Sequence, residues 1–206
     1  MEELVFNKEQ VDVLKEIGTM GAGNAATALS QIMGRKVSIT VPRVQLVPSD
    51  KLSSSRFSIA PDELSLAVEL KILGSLQGGV FVLFSQKSAL LMIDILMKRP
   101  FGTTQLLNAM EVSAILESTQ IIAGCYLNVI GDLLELRRLM PSIPQPLIDR
   151  MDKLQAWINK KFVANGPQYL LPIENNLTIE NIKVQLYVVF LLEPESVKKI
   201  FKIVGL

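Results

Sequence analysis

The chain has 206 residues, 49 % of them apolar and 20 % charged, with 21 Lys and Arg against 20 Asp and Glu, no histidine and one cysteine. A near-neutral chain with 6 % aromatics and no basic run offers no footing for nucleic acid or an acidic membrane surface. Without histidine, zinc sites, Ser–His triads and Cys–His dyads are excluded, and the lone Cys125 fits a reducing, cytoplasmic setting. The acidic start, MEELVFNKEQ, is not a signal peptide, and charges interrupt the apolar runs before 18 residues, so no membrane span is expected.

Asn7 reads as an N-cap with Gln10 three residues on, opening a helix that runs to about Met33 and ends at Gly34. Leu14, Ile17, Gly21, Ala25, Ala28 and Ile32 fall on its predicted buried side. Asp12, Glu16 and Thr19 form a polar row opposite, within about 60° of one another at roughly 100° per residue. Gly18, Gly21 and Gly23 each cost about 1 kcal/mol relative to Ala in a helix, which points to close packing. The string is neither GxGxxG nor a P-loop, and no strand precedes it, so it is not read as a phosphate cradle.

Lys36–Val41 alternates and is β-branched, predicting a strand closed by Pro42, with Val44–Val47 a short continuation. Lys51–Ser58 reads as a serine-rich loop or edge. Leu64–Leu73 and Gly78–Phe84 read as a hairpin, and Ser85 or Ser88 as the cap of a helix over Ala89–Met97. Phe101–Leu107 links to a second long helix, Asn108 to about Leu136. Beyond Pro141 and Pro144, Pro146–Phe162 reads as an amphipathic helix. Tyr169–Pro172, Leu177–Ile179 and Lys183–Leu192 read as strands, and Glu195–Val204 as a terminal helix.

Self-comparison reveals a repeat. Leu14–Gly23 aligns with Ile115–Gly124 at an offset of 101, matching Glu16 to Glu117. Phe81–Phe84 matches Tyr187–Phe190, and Ser88 with its helix matches Ser196 with the last one. The expected fold is α+β: one domain of two pseudo-twofold repeats, about 7–100 and about 108–206, whose antiparallel sheet is covered by long helices. The second repeat carries its own polar row, Ser113, Glu117 and Gln120, opposite Ile115, Ile122, Val129 and Leu133. Such a row is either solvated helix surface or a site, and its recurrence at the same point of both repeats raises the second reading.

The stretch EIGTMGAGNAATALS (Glu16–Ser30), followed by Pro42, resembles the CheC-type proteins of chemotaxis, a group that includes CheX, FliY and the FliM middle domain. The resemblance runs nearly end to end. It implies hydrolysis of the phospho-aspartate of the response regulator CheY, and, in the CheC branch, binding of the deamidase CheD. The family pattern is Asp or Ser, three residues, Glu, two residues, Asn, then Pro. Asp12, Glu16 and Pro42 fall on it, with Thr19 in place of Asn. In the second repeat Ser113 and Glu117 fit, Gln120 replaces Asn and Pro144 comes one residue late.

The resemblance implies a catalytic set of Glu117 and Gln120 with Glu16 and a degenerate Thr19, and partner-binding roles for Asp12 and Ser113. The asparagine carboxamide would orient water for in-line attack, and the glutamate would pair with a regulator lysine. Gln120 keeps a carboxamide; Thr19 does not, and neither Asn24 nor Asn128 lies at the right point of the helix to replace it. Reduced activity follows, or, as the alternative, an adaptor that binds CheY or CheD without hydrolysis. Magnesium would come with the regulator, so no cofactor is expected. Leu147-Ile148-Asp149, predicted on the helix after Pro144, matches the element that contacts CheD.

Overall fold

The N-terminal helix α1 (Lys8–Met33) buries Leu14, Ile17, Gly18, Gly21, Ala22, Ala25, Leu29 and Met33 and ends at Gly34 in the left-handed conformation at φ 63°. The apolar stripe is rotated from the predicted one near the C-terminus, where Leu29 and Met33 point inward and Ile32 is 54 % exposed. The computed structural model describes residues 8–45, 47–48, 57–136, 139–163, 169–179 and 181–203. Asn7, Lys51–Arg56 and Val204 lie outside the described residues.

Strands β1 (Val37–Val44), β2 (Val47–Pro48), β3 (Leu64–Leu73) and β4 (Gly78–Ser85) follow. Helix α2 (Gln86–Leu96) is capped by Ser85, whose side chain accepts from the Ser88 N–H. Helix α3 (Ala109–Leu133) is capped by Asn108. The second half continues with β5 (Met140–Pro141), β6 (Gln145–Arg150), α4 (Met151–Val163), β7 (Tyr169–Ile179), β8 (Ile182–Leu192) and α5 (Pro194–Ile203). The strands pair antiparallel in the order β1-β7-β8-β4-β3-β5, with β2 also on β7 and β6 also on β3. Exchanging β1 with β6, β7 with β3 and β8 with β4 returns the same order. Val82 pairs with Val188 at the centre, so the strand match seen in the sequence marks the pseudo-twofold axis.

Alternation along the strands separates two cores. Leu66, Val68, Leu70, Val80, Val82, Phe84, Val188 and Phe190 face α1, α2, α3 and α5. Ala67, Phe81, Leu83, Tyr187 and Val189 face the other way, onto Met151, Leu154 and Ile158 of α4 and onto Phe57 and Ile59.

Three sequence expectations change, each for a local reason. Pro42 does not close β1; the strand passes through it with a register shift between Thr40 and Arg43. A proline lacks the ladder donor, and a bulge at an outer strand accommodates that. The outer strand of the other half breaks at the equivalent place, between β5 and β6, around Pro144. Tyr169–Pro172 and Leu177–Ile179 form one strand, not two. The Pro172 carbonyl accepts from Gln45 N–H, so its donor-less nitrogen faces the gap between β1 and β2 and leaves no ladder bond unmade. Finally, Gln145–Arg150 is strand, with the helix beginning only at Met151, because this segment completes the sheet against β3. Pairing with a neighbour outweighs the weak helical periodicity there.

Helices α1 and α3 meet where the sequence places glycine. A Cβ on Gly21 would lie 2.4 Å from Cδ1 of Tyr126. The Tyr126 hydroxyl donates to Asn175 Oδ1, and the Asn175 amide donates to the Ile173 carbonyl, so the ring is fixed. Gly18 lies over the β1 bulge, its absent Cβ 3.1 Å from Val44 Cγ2. Helix α3 has the length and apolarity of a membrane-crossing segment, but 56 % of its most apolar stretch is buried inside the fold.

Candidate functional site

Asp12, Glu16 and Thr19 all lie on the exposed face of α1. Asp12 pairs with Lys15 at 3.1 Å. The Thr19 hydroxyl donates to the Lys15 carbonyl at 3.0 Å, so its one proton is engaged by its own helix. Glu16 makes no hydrogen bond or ion pair with any described residue. Met20, beside Thr19, is 48 % exposed.

Ser113, Glu117 and Gln120 are likewise exposed on α3, and none has a partner among the described residues. Their neighbours Ser118 and Thr119 are buried and donate to the carbonyls of Ile115 and Leu116, each at 2.8 Å. The row therefore presents a free carboxylate and a free carboxamide one turn apart, on a helix whose opposite face is fixed in the core.

The start of α3 is held by a buried polar network. Asn108 and Glu111 form a capping box: Asn108 Oδ1 accepts from the N–H groups of Met110 and Glu111, and Glu111 Oε2 accepts from Asn108 N–H at 2.7 Å. Arg99 donates to Glu111 Oε1 at 2.6 Å and to Thr104 Oγ1 at 3.0 Å. Asp94, fully buried at the end of α2, accepts from the N–H groups of Gly102, Thr103 and Thr104 and from the Thr103 hydroxyl. Burial opposes ionisation of Asp94, yet the bonds from Thr104, Gly102 and Thr103 outweigh it and lower its pKa. The Arg99 and Asn108 donors lower that of Glu111.

Both carboxyls are more acidic in the folded chain than at their ordinary values of 3.8 and 4.5. Their contribution to stability is therefore complete above about pH 4.5 and fades as the pH falls through the lowered folded values. Urea midpoints between about pH 6 and about pH 3 should fall more steeply for the native chain than for Asp94→Asn or Glu111→Gln. Periodicity and self-similarity single out neither Asp94 nor Glu111. The Asn-x-x-Glu spacing at Asn108 is the legible signal for one of them; nothing local marks the other.

The two rows are not brought together. The pseudo-twofold makes α1 and α3 antiparallel, and they touch at Gly21 and Tyr126. Counting about 1.5 Å per residue from that contact places Glu16 and Glu117 roughly 21 Å apart along the helices. Two separate polar rows result rather than one shared cluster. Among the described residues no cluster of His, Cys, Asp and Glu is arranged to hold a metal.

Leu147, Ile148 and Asp149 lie on β6, not on a helix. Leu147 is half-buried toward α4, Ile148 is 48 % exposed on the other face, and Asp149 pairs with Lys153 at 3.4 Å. Met151 N–H donates to the Glu63 carbonyl, so by alternation residues 146, 148 and 150 direct their backbone groups outward. Pro146 has no N–H, and the Arg150 N–H is taken by Asp149 Oδ1 at 2.8 Å. Ile148 N–H is the one donor left on that edge of β6, which discourages strand addition.

The CheC-like family profile matches residues 9–46, which span α1 and β1. The chain is 33 % identical over 150 residues, 70 % of each chain, to "CheY-P phosphatase CheC" of Bacillus subtilis. It is 29 % identical over 114 residues to "Flagellar motor switch phosphatase FliY" of the same organism, spanning 55 % of this chain and 29 % of that longer one. The crystal structure of Thermotoga maritima FliY superposes with a TM-score of 0.78 at 26 % identity, covering 98 % of both chains.

Proposed function

The chain belongs to the CheC-like family of chemotaxis phosphatases, and on that premise we propose that it acts in the cytoplasm on phosphorylated CheY, with α3 as the working helix. The observation that carries this is the pair Glu117 and Gln120, both exposed on one face of α3 and without side-chain partners among the described residues. Glu117 docks the helix on a regulator lysine beside the phospho-aspartate. The Gln120 carboxamide then holds a water in line with the scissile bond, accepting its hydrogen and steering its oxygen. The water oxygen bonds phosphorus as the P–O bond to the aspartyl carboxylate breaks, and inorganic phosphate leaves.

Glu16 docks a regulator in the same way on α1, but Thr19 has no amide and its proton is engaged by Lys15. The α1 row is accordingly a seat with little or no chemistry. The test is decay of phosphorylated CheY with catalytic amounts of the protein. Acceleration that Glu117→Ala reduces by about tenfold or more supports the reading. Decay unchanged at a large excess of protein rejects catalysis.

A second reading is favoured by the degenerate asparagine positions: an adaptor that holds CheY, or CheD through the Ile148 side of β6, without turnover. It predicts a stable complex with no rate, and Ile148→Glu would weaken a CheD complex.

A further inference from the structure

We propose that the regulator seat on α3 extends past its polar row onto an apolar footing formed by Met110 and Leu106. This rests on the reading of α3 as the seat for phosphorylated CheY. Met110, Ser113, Glu117 and Gln120 lie within about 80° of one another on α3 at roughly 100° per residue. Met110 is 66 % exposed, and Leu106, two residues before the cap, is 80 % exposed.

Exposed apolar side chains at a helix start often reflect fraying, but here the backbone is fixed on both sides. The Asn108–Glu111 capping box closes the first turn of α3, and Asp94 and Arg99 hold residues 102–104 just upstream. Leu106 also lines a cleft of about 200 Å³ with Leu64, Leu66, Leu90, Leu107 and Ile148. The footing thus runs from the polar row to a concavity able to receive a side chain from the partner.

Size agrees with one partner covering both. Gln120 and Met110 are ten residues apart, about 15 Å along the helix. A standard interface buries about 800 Å² on each partner, roughly 30 Å across, so a molecule seated over Gln120 reaches Met110. Its centre would be charged and hydrogen-bonded, and its apolar contact would lie to one side. The equivalent of Met110 on α1 is Glu9, which is exposed and charged. At that position the two rows differ in side-chain character, apolar on α3 and charged on α1.

Leu106→Ser combined with Met110→Ser tests this, since both side chains are exposed and their loss leaves the core intact. The expected result is an apparent KM for phosphorylated CheY raised at least about tenfold with kcat held within about twofold. Affinity for the beryllofluoride-loaded regulator should fall in parallel. Ile143→Ser, equally exposed but outside the α3 face, should change neither quantity. Unchanged KM and affinity in the double variant would overturn the footing, as would a fall in kcat alone. If the native chain sediments as a dimer that the double variant dissociates, the patch serves a second copy and the proposal is likewise overturned. A native chain that neither binds the regulator nor speeds its decay defeats the underlying reading, an outcome distinct from a footing that makes no difference.

Discussion

Gln120→Ala should reduce the acceleration of phospho-CheY decay roughly 100-fold, the size of effect expected when a positioned water loses its guide. Thr19→Ala should change it little. The two positions occupy equivalent points of a pseudo-symmetric pair, so the contrast arises from side-chain chemistry. Gln120 is exposed and has no side-chain partner among the described residues, with both a carbonyl and an amide to offer. Thr19 has one hydroxyl, already directed to the Lys15 carbonyl. The same logic predicts a gain: Thr19→Asn supplies a carboxamide beside the exposed Glu16 and should raise total rate severalfold. Single-turnover decay of the phosphorylated regulator reads both changes. Equal loss from Gln120→Ala and Thr19→Ala would mean that the two helices contribute alike, and the assignment to α3 would fall.

Gly21→Leu should prevent the chain from folding, and Gly21→Ala should cost about 2–3 kcal/mol. The added Cβ would meet three atoms of the Tyr126 ring, the farthest of them at 2.8 Å. Relief by moving the ring is blocked, because its hydroxyl is bonded to buried Asn175, and Asn175 in turn to the backbone of β7. Relief by moving α1 would lift Gly18 away from Val44 and open the core along the whole helix. Tyr126→Leu should partly rescue Gly21→Ala by clearing the ring, though it leaves the Asn175 oxygen without that donor. Urea unfolding of the single and double variants measures the coupling. Gly23 is a useful contrast, since a Cβ added there would meet nothing within 4 Å, and Gly23→Ala should be neutral or stabilising.

What is legible in the sequence is what repeats within it or is local to it. The two long helices, the central hairpin and the doubled polar row follow from periodicity, turn residues and self-similarity. The registers around proline do not. Pro42 and Pro172 both read as strand ends, yet each sits where an outer strand is interrupted and no donor is wanted. That condition depends on a neighbouring strand remote in sequence. Gln145–Arg150 reads as helix for the same reason: an amphipathic pattern suits either a helix or an outer strand, and the partner β3 decides. At the site, Glu117 and Gln120 are legible because their spacing is helical. Asp94 is not, since its partners lie eight to ten residues away across a turn whose shape only the fold defines.

The strand order has a further consequence for the unity of the molecule. Each half gives its outermost strand to the other: β1 lies on β7, and β6 lies on β3. The halves are clasped rather than abutted, and a cut in the segment joining α2 to α3 would leave the two pieces holding each other by exchanged arms and by the β4–β8 seam. Neither arm can be withdrawn without stripping a strand from the opposite half, so neither half owns a complete sheet. A chain built this way is free to let the exposed faces of its two long helices diverge in side-chain chemistry, because the scaffold beneath them is common property.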